Sequence, residues 1–169
     1  LLGFWVNTLL LRTDLSNNPT FRDLLHRVRQ LALDAYAHQE LPFEKLVERL
    51  QPDRDLSRNP LFQVMLILQL QNAPGRALQR CGLSVRPVAV DTATAKFDLT
   101  LSVAEEQDQR IVGWFEYNAD LFDAATVTRM AGHFLNLLEG AVANPDEPIS
   151  ALSLLCERER HQLLVEWNA

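Results

Sequence analysis

Apolar positions along this chain recur with two different periods, and together they predict a mixed succession of helices and strands. Val6 to Arg12 reads as a strand, with Val6, Thr8, Leu10 and Arg12 on one face and Asn7, Leu9 and Leu11 on the other. Thr13 to Pro19 carries turn chemistry, and Thr20 with Asp23 forms a capping pattern that opens a helix. Phe21, Leu24, Leu25, Val28, Leu31, Ala32, Ala35 and Tyr36 then follow at helical spacing. Leu41 precedes Pro42 and should end that helix, while Pro42 suits the first turn of a short one running through Leu50. After a polar loop from Gln51 to Pro60, the run from Leu61 to Leu70 predicts a strand buried on both faces. A loop over Asn72 to Gly82 and a weaker strand over Ser84 to Val90 come next. Phe97, Leu99, Leu101 and Val103 alternate with Asp98, Thr100 and Ser102, a half-buried strand that pairs with Arg110 to Tyr117 across a turn at Glu105 to Gln109. The last long helix starts at Asp123, places Val127, Met130, Ala131, Phe134, Leu137, Leu138, Ala141 and Val142 on one face, and ends at Asn144 and Pro145. This order predicts an α/β fold, a two-layer sandwich of mixed sheet covered by amphipathic helices.

Composition narrows the picture. At 169 residues and 47% hydrophobic content the chain is long enough for one folding unit with its own core. A net charge of -6 and the lack of any basic cluster argue against a nucleic-acid partner. The longest uninterrupted apolar run, Val64 to Leu68, is far short of a membrane span, and nothing resembles a signal peptide, so a soluble, cytoplasmic protein is expected. Cys81 and Cys156 stand far apart with no metal-ligand spacing, which favours free thiols.

Three motifs carry more information. They are Gly3, Phe4, Val6, Asn7 and Thr8 with a following Arg12; His38, Gln39, Glu40, Pro42, Phe43 and Glu44; and Arg54, Asp55, Ser57, Arg58, Asn59, Pro60 and Leu61. In this order and spacing they resemble the carboxy-terminal half of a condensation domain from a nonribosomal peptide synthetase. The resemblance implies half of a chloramphenicol acetyltransferase-like pseudo-dimer, with a substrate tunnel between the halves. It also implies amide-bond formation between a carrier-bound donor thioester and an aminoacyl acceptor. The family's catalytic signature, two adjacent histidines followed by Asp-Gly, has no counterpart here, since the chain contains no adjacent histidines. No catalytic residue is therefore assigned to this chain, and the opening on an apolar run at Leu1 suggests a fragment of a longer protein, inactive alone.

Each polar candidate has a structural and a functional reading. His38, near Glu40 and Glu44, could serve as a base, but a histidine at a helix end more often satisfies the terminal carbonyls. Arg54, Asp55, Arg58 and Asn59 form either a self-satisfied turn, the favoured reading, or a border of the tunnel. Arg12, on an apolar strand face, needs a carboxylate partner or snorkels to solvent, and the residues leave both open. The resemblance suggests that partner is the aspartate of the histidine motif. Asn7 and Glu44 join these as structural or tunnel-lining support. Lys96 could steer the phosphopantetheine arm of a carrier protein, although a lone lysine is more often a solvated charge. His26, His133 and His161 lie in helical stretches in no histidine-carboxylate or metal-ligand spacing.

The resemblance divides the chain into a subdomain over 1–148 and, over 149–169, a linker towards an adenylation domain. Expected partners are the amino-terminal half, carrier proteins on either side and that adenylation domain, with no metal and no cofactor bound directly; the chain alone is expected to self-associate. The rival readings are a noncatalytic scaffold or interaction module, an epimerisation domain, and a stand-alone acyltransferase of the same fold. The linker-like tail argues against these.

Overall fold

The computed structural model describes residues 7–50, 59–69, 93–105 and 110–168. The chain divides into two compact units, Leu1–Arg54 with Thr128–Ala169, and Asp55–Val127.

In the first unit, α1 spans Phe21–Ala37 and begins as its sequence predicts. Thr20 Oγ1 accepts the Asp23 N–H at 3.1 Å, and the Asp23 carboxylate accepts from the Thr20 hydroxyl at 2.8 Å and from its N–H at 3.4 Å. The helix stops at Ala37, four residues before Leu41, because residues 38 to 41 fold into a turn that brings the Leu41 N–H to the His38 carbonyl at 3.1 Å. The second helix, α2, spans Phe43–Leu50, and the Pro42 carbonyl accepts from Lys45 and Leu46 in its first turn. Helix α3 spans Ala124–Ala143, with the Asp123 carbonyl accepting the Val127 N–H, and α4 spans Glu157–Leu164.

The start of α1 is stitched to the turn after α3. Arg22 N–H donates to Pro145 O and Ile149 N–H to Pro19 O, both at 2.9 Å, and Thr20 bridges Pro148. Asn18 donates to Ser150 Oγ at 2.8 Å and accepts the Ser150 N–H at 3.1 Å, from a backbone φ of 48° that asparagine tolerates well. The Arg22 guanidinium adds a bidentate pair to Asp146, at 2.6 and 3.1 Å. Beside this seam lies a cavity of about 630 Å³ lined by Phe21, Leu24, Phe134, Leu137, Ala141 and Leu152.

The second unit holds a three-stranded mixed sheet in the order β1-β2-β3, from Val64–Gln69, Leu99–Glu105 and Ile111–Tyr117. β1 runs parallel to β2 with Val64 opposite Leu99, and β3 returns antiparallel with Tyr117 opposite Leu99. The expected hairpin and the expected α/β class are thus both present.

Three sequence expectations need correction. Asn7 to Arg12 is not a strand, since no described residue offers it a ladder; apolar alternation identifies a segment able to pair, not one that has paired. β1 is not buried on both faces: Val64, Leu66 and Leu68 are 64%, 64% and 57% exposed. Among the described residues it pairs only with β2, and a continuous apolar run shows that cover is needed without supplying it. In β2 the polar face is not outward. Thr100 and Ser102 are buried, whereas Leu101 and Val103 on the opposite face are only partly so, and the polar side of this central strand is the more covered one. The Thr100 hydroxyl has no hydrogen-bond partner among the described residues. The loop at 72–82, the strand at 84–90 and the Gly3 to Val6 part of the first motif lie outside the described residues.

Candidate functional site

The first two motifs meet through a side-chain amide. Asn7 Nδ2 donates to the backbone carbonyls of Gln39 at 2.6 Å and Leu41 at 2.9 Å, while its Oδ1 accepts the Thr8 N–H at 2.9 Å. One asparagine therefore holds the segment before α1 against the turn between α1 and α2. Only an amide, with two donors and an acceptor on one planar group, can make all three bonds. His38 sits in that turn as the C-cap of α1, where its backbone N–H, rather than its imidazole, serves the Ala35 carbonyl, and the Gln39 N–H serves that of Tyr36. The ring is exposed, and Glu44 lies in the first turn of α2, where a carboxylate suits the positive end of the helix dipole.

Arg12 is exposed, so among the described residues the expected apolar strand face does not enclose it. Its charge is felt by Asp14, whose carboxyl is held below the ordinary aspartate value. The main cause is the Ser16 N–H donating to it at 2.9 Å, followed by the Ser16 hydroxyl, with Arg27 and Arg12 adding smaller effects. Arg27 also donates to the carbonyls of Asp14 and Ser16.

The third motif is anchored to the stretch that contains Lys96. Asn59 Nδ2 donates to the Lys96 carbonyl at 2.9 Å, and Gln63 Nε2 donates back to Asn59 O at 3.2 Å. The Gln63 carbonyl then accepts from Asp98 and Leu99, and the rings of Phe62 and Phe97 stack with centroids 5.2 Å apart. These contacts tie together the chain segments entering the two parallel strands. Leu61 holds a φ of 72°, and the Phe62 N–H reaches Pro60 O at 3.0 Å, a tight three-residue turn costly for a branched side chain. Asn59 and Lys96 are thus brought together, through the lysine's backbone; its ammonium group is exposed. Arg54, Asp55 and Arg58 lie outside the described residues.

Sequence reasoning missed a histidine-carboxylate pair. His133 Nε2 on α3 lies 3.0 Å from Glu159 Oε1 on α4, with both side chains about three-quarters buried. Glu159 is held below the ordinary glutamate value, chiefly by the Cys156 N–H and next by His133. The two residues stand 26 positions apart, so no local spacing announces them. Among the described residues no group of three His, Cys, Asp or Glu is placed to hold a metal, and no helix is long and apolar enough to cross a membrane. The polar groups assembled from the motifs donate to backbone carbonyls, which equips them to position chain rather than to move protons.

A model of the condensation domain matches residues 1–164. A linear gramicidin synthase of Brevibacillus parabrevis is 51% identical over 168 residues, which is 99% of this chain and 2% of that protein. The X-domain from teicoplanin biosynthesis, solved in complex with OxyB, is similar with a TM-score of 0.71 and 33% identity, covering 87% of this chain and 32% of that one. A holo four-domain nonribosomal peptide synthetase bound to AMP and glycine reaches a TM-score of 0.75 over 87% of this chain and 12% of its own, at 24% identity, a likeness of fold. The mixed sheet and its helices define an α/β domain of the chloramphenicol acetyltransferase-like kind seen in condensation domains. The chain belongs to the condensation-domain family, and it spans only 2 to 3% of the linear gramicidin synthases it matches.

Proposed function

We propose that this chain is the carboxy-terminal part of an amide-forming condensation domain, acting as one wall of the substrate tunnel and as support for a catalytic half that carries the histidine motif. The observation that carries this reading is the family match over residues 1–164 in a chain with no adjacent histidines. In the complete domain, the amine of an aminoacyl thioester attacks the carbonyl of a donor thioester, and the donor's thiol leaves on its carrier arm. The contribution of this half is positional. Asn7 and Asn59 fix the loops that present Arg12 and Lys96, and Arg12 pairs with the aspartate of the histidine motif. Arg54, Asp55, Arg58 and Glu44 support the same wall. Lys96, exposed, meets the phosphate of a phosphopantetheine arm that belongs to the carrier proteins on either side. Residues 149–169 lead towards an adenylation domain.

The likeness to the teicoplanin X-domain favours a second reading, a noncatalytic module that recruits a partner protein. One assay separates the two. Loaded donor and acceptor carriers are mixed with the 169-residue chain or with the intact domain from the parent protein, and the dipeptidyl thioester is followed by mass spectrometry. We expect product from the intact domain and none from the chain alone, since general-base assistance is worth about 10²- to 10⁴-fold and the missing half also removes substrate positioning. Product from the chain alone would overturn the assignment of catalysis elsewhere. An intact domain that binds the carriers yet makes no product would establish the noncatalytic reading.

A further inference from the structure

We infer that the C-terminal segment from Ser153 to Asn168 is a strap that folds onto α3 and releases from it as one unit, with the Glu159 carboxylate as its clasp. This goes beyond the functional reading, since it requires neither carrier proteins nor the second half of the domain.

The two oxygens of Glu159 do different work. Oε2 accepts the Cys156 N–H at 3.0 Å, closing the first turn of α4 from its third position. Oε1 lies 3.0 Å from His133 Nε2 on α3. One carboxylate therefore caps α4 and pins it, and losing the group would remove both interactions together. Eight residues, the length of α4, are too few to persist as an isolated helix in water, because the cost of nucleating the first turn is not recovered over so short a run. α4 therefore depends on docking, and docking runs through the same group that caps it.

The remaining contacts extend the strap in both directions. One helical turn past His133 on α3, at about 3.6 residues per turn, Asn136 Nδ2 donates to Leu154 O at 3.1 Å. At the far end, the Asn168 side-chain amide donates to the carbonyls of Leu163 and Leu164 at 2.7 and 3.3 Å, covering acceptors that the end of α4 leaves open. Little apolar burial supplements these polar anchors: Leu154, Leu164, Val165 and Trp167 are 45%, 61%, 51% and 68% exposed, and no residue of α4 is buried. A segment held by a few hydrogen bonds and little core opens well before the rest of its unit.

Amide hydrogen exchange of the full chain at fixed pH, resolved by peptide, tests the strap. His133→Ala cuts the pin and leaves the cap, and should speed exchange over residues 157–164 by about fivefold, the scale of one lost hydrogen bond. Glu159→Ala removes cap and pin and should speed it further, whereas Glu159→Gln, whose oxygen can still cap and whose amide nitrogen can donate to an unprotonated His133 Nε2, should stay closer to wild type. In every variant α1 should keep its protection. Protection of 157–164 within twofold of wild type in both alanine variants would overturn the inference. So would a loss that spreads equally through α1, because the segment would then be integral to the unit. Should Glu159→Ala fail to fold, His133→Ala alone still decides, since it leaves the cap in place.

Discussion

Asn7 shows how a motif residue can matter without touching a reacting atom. Its amide holds two carbonyls of the turn between α1 and α2, so Asn7→Ala should destabilise the chain by about 1 kcal/mol, the low end for two bonds at a site that water can reach. Asn7→Asp should be worse, because a carboxylate would face the same two carbonyl oxygens with no donor. Urea unfolding midpoints would rank the three proteins, and an aspartate variant as stable as wild type would rule out the staple. The carboxylates make a separate prediction. Asp146 is held below the ordinary value mainly by its hydrogen bond to Arg22, and Glu159 mainly by the Cys156 N–H. A carboxyl whose folded value is depressed lends stability that is whole above the unfolded value and lost as the pH falls through the folded one. The urea midpoint should therefore be insensitive to these groups near neutrality and drop below roughly pH 4, where free carboxylates titrate. Asp146→Asn should flatten part of that drop. A wild-type midpoint level down to about pH 3 would contradict the prediction.

Among the elements, those announced by local chemistry were legible in advance. α1 could be placed from its helical period and from Thr20 and Asp23, which sit within one turn of each other and need no tertiary partner to act. Thr20→Ala should cost about 1 kcal/mol, the usual effect of a lost N-cap. Thr20→Ser should restore most of it, and equal helicity and melting temperature for all three would show that the cap is idle. The β2–β3 hairpin was legible for a similar reason, since only a few polar residues separate its strands in sequence. Legibility failed where the determinant lies far away in sequence. Asn7 to Arg12 has the alternation of a strand, yet pairing depends on a neighbour that alternation does not encode. The burial of Thr100 and Ser102 depends on which face of β2 is covered, and a period of two separates the faces without saying which one that is. The candidate site divides in the same way. The motifs pointed to Asn7 and Asn59, but not to the carbonyls of Gln39, Leu41 and Lys96 that receive them, because a backbone acceptor leaves no mark on the sequence.

For the whole molecule, the exposed apolar surface is the feature with the widest reach. Val64, Leu66 and Leu68 stand open on β1, and Val142 on α3 is 80% exposed. Contiguous apolar patches beyond a few hundred Å² normally mark surfaces that another protein covers. In the proposed setting the rest of the parent protein supplies that cover, and the chain alone should self-associate. Light scattering after size exclusion at about 10 µM should give a mass above that of one chain, together with binding of a dye for apolar surface. A stable monomer that leaves the dye dark would mean these side chains find cover within the chain itself.

The seam between Asn18 and Ser150 joins residues 132 positions apart, and the helical unit it closes is assembled from both ends of the chain, while the strand unit is continuous from Asp55 to Val127. On a translating ribosome this fixes an order of events. The strand unit has all its residues available first, while α1 emerges early and must wait for the partner that its N-terminal turn requires. At about 5–20 residues per second the wait is on the order of ten seconds, during which Phe21 and Leu24 have no cavity to line. The same topology that lets one seam lock the two ends together leaves α1 exposed to chaperones and to neighbouring nascent chains until synthesis has passed Ser150.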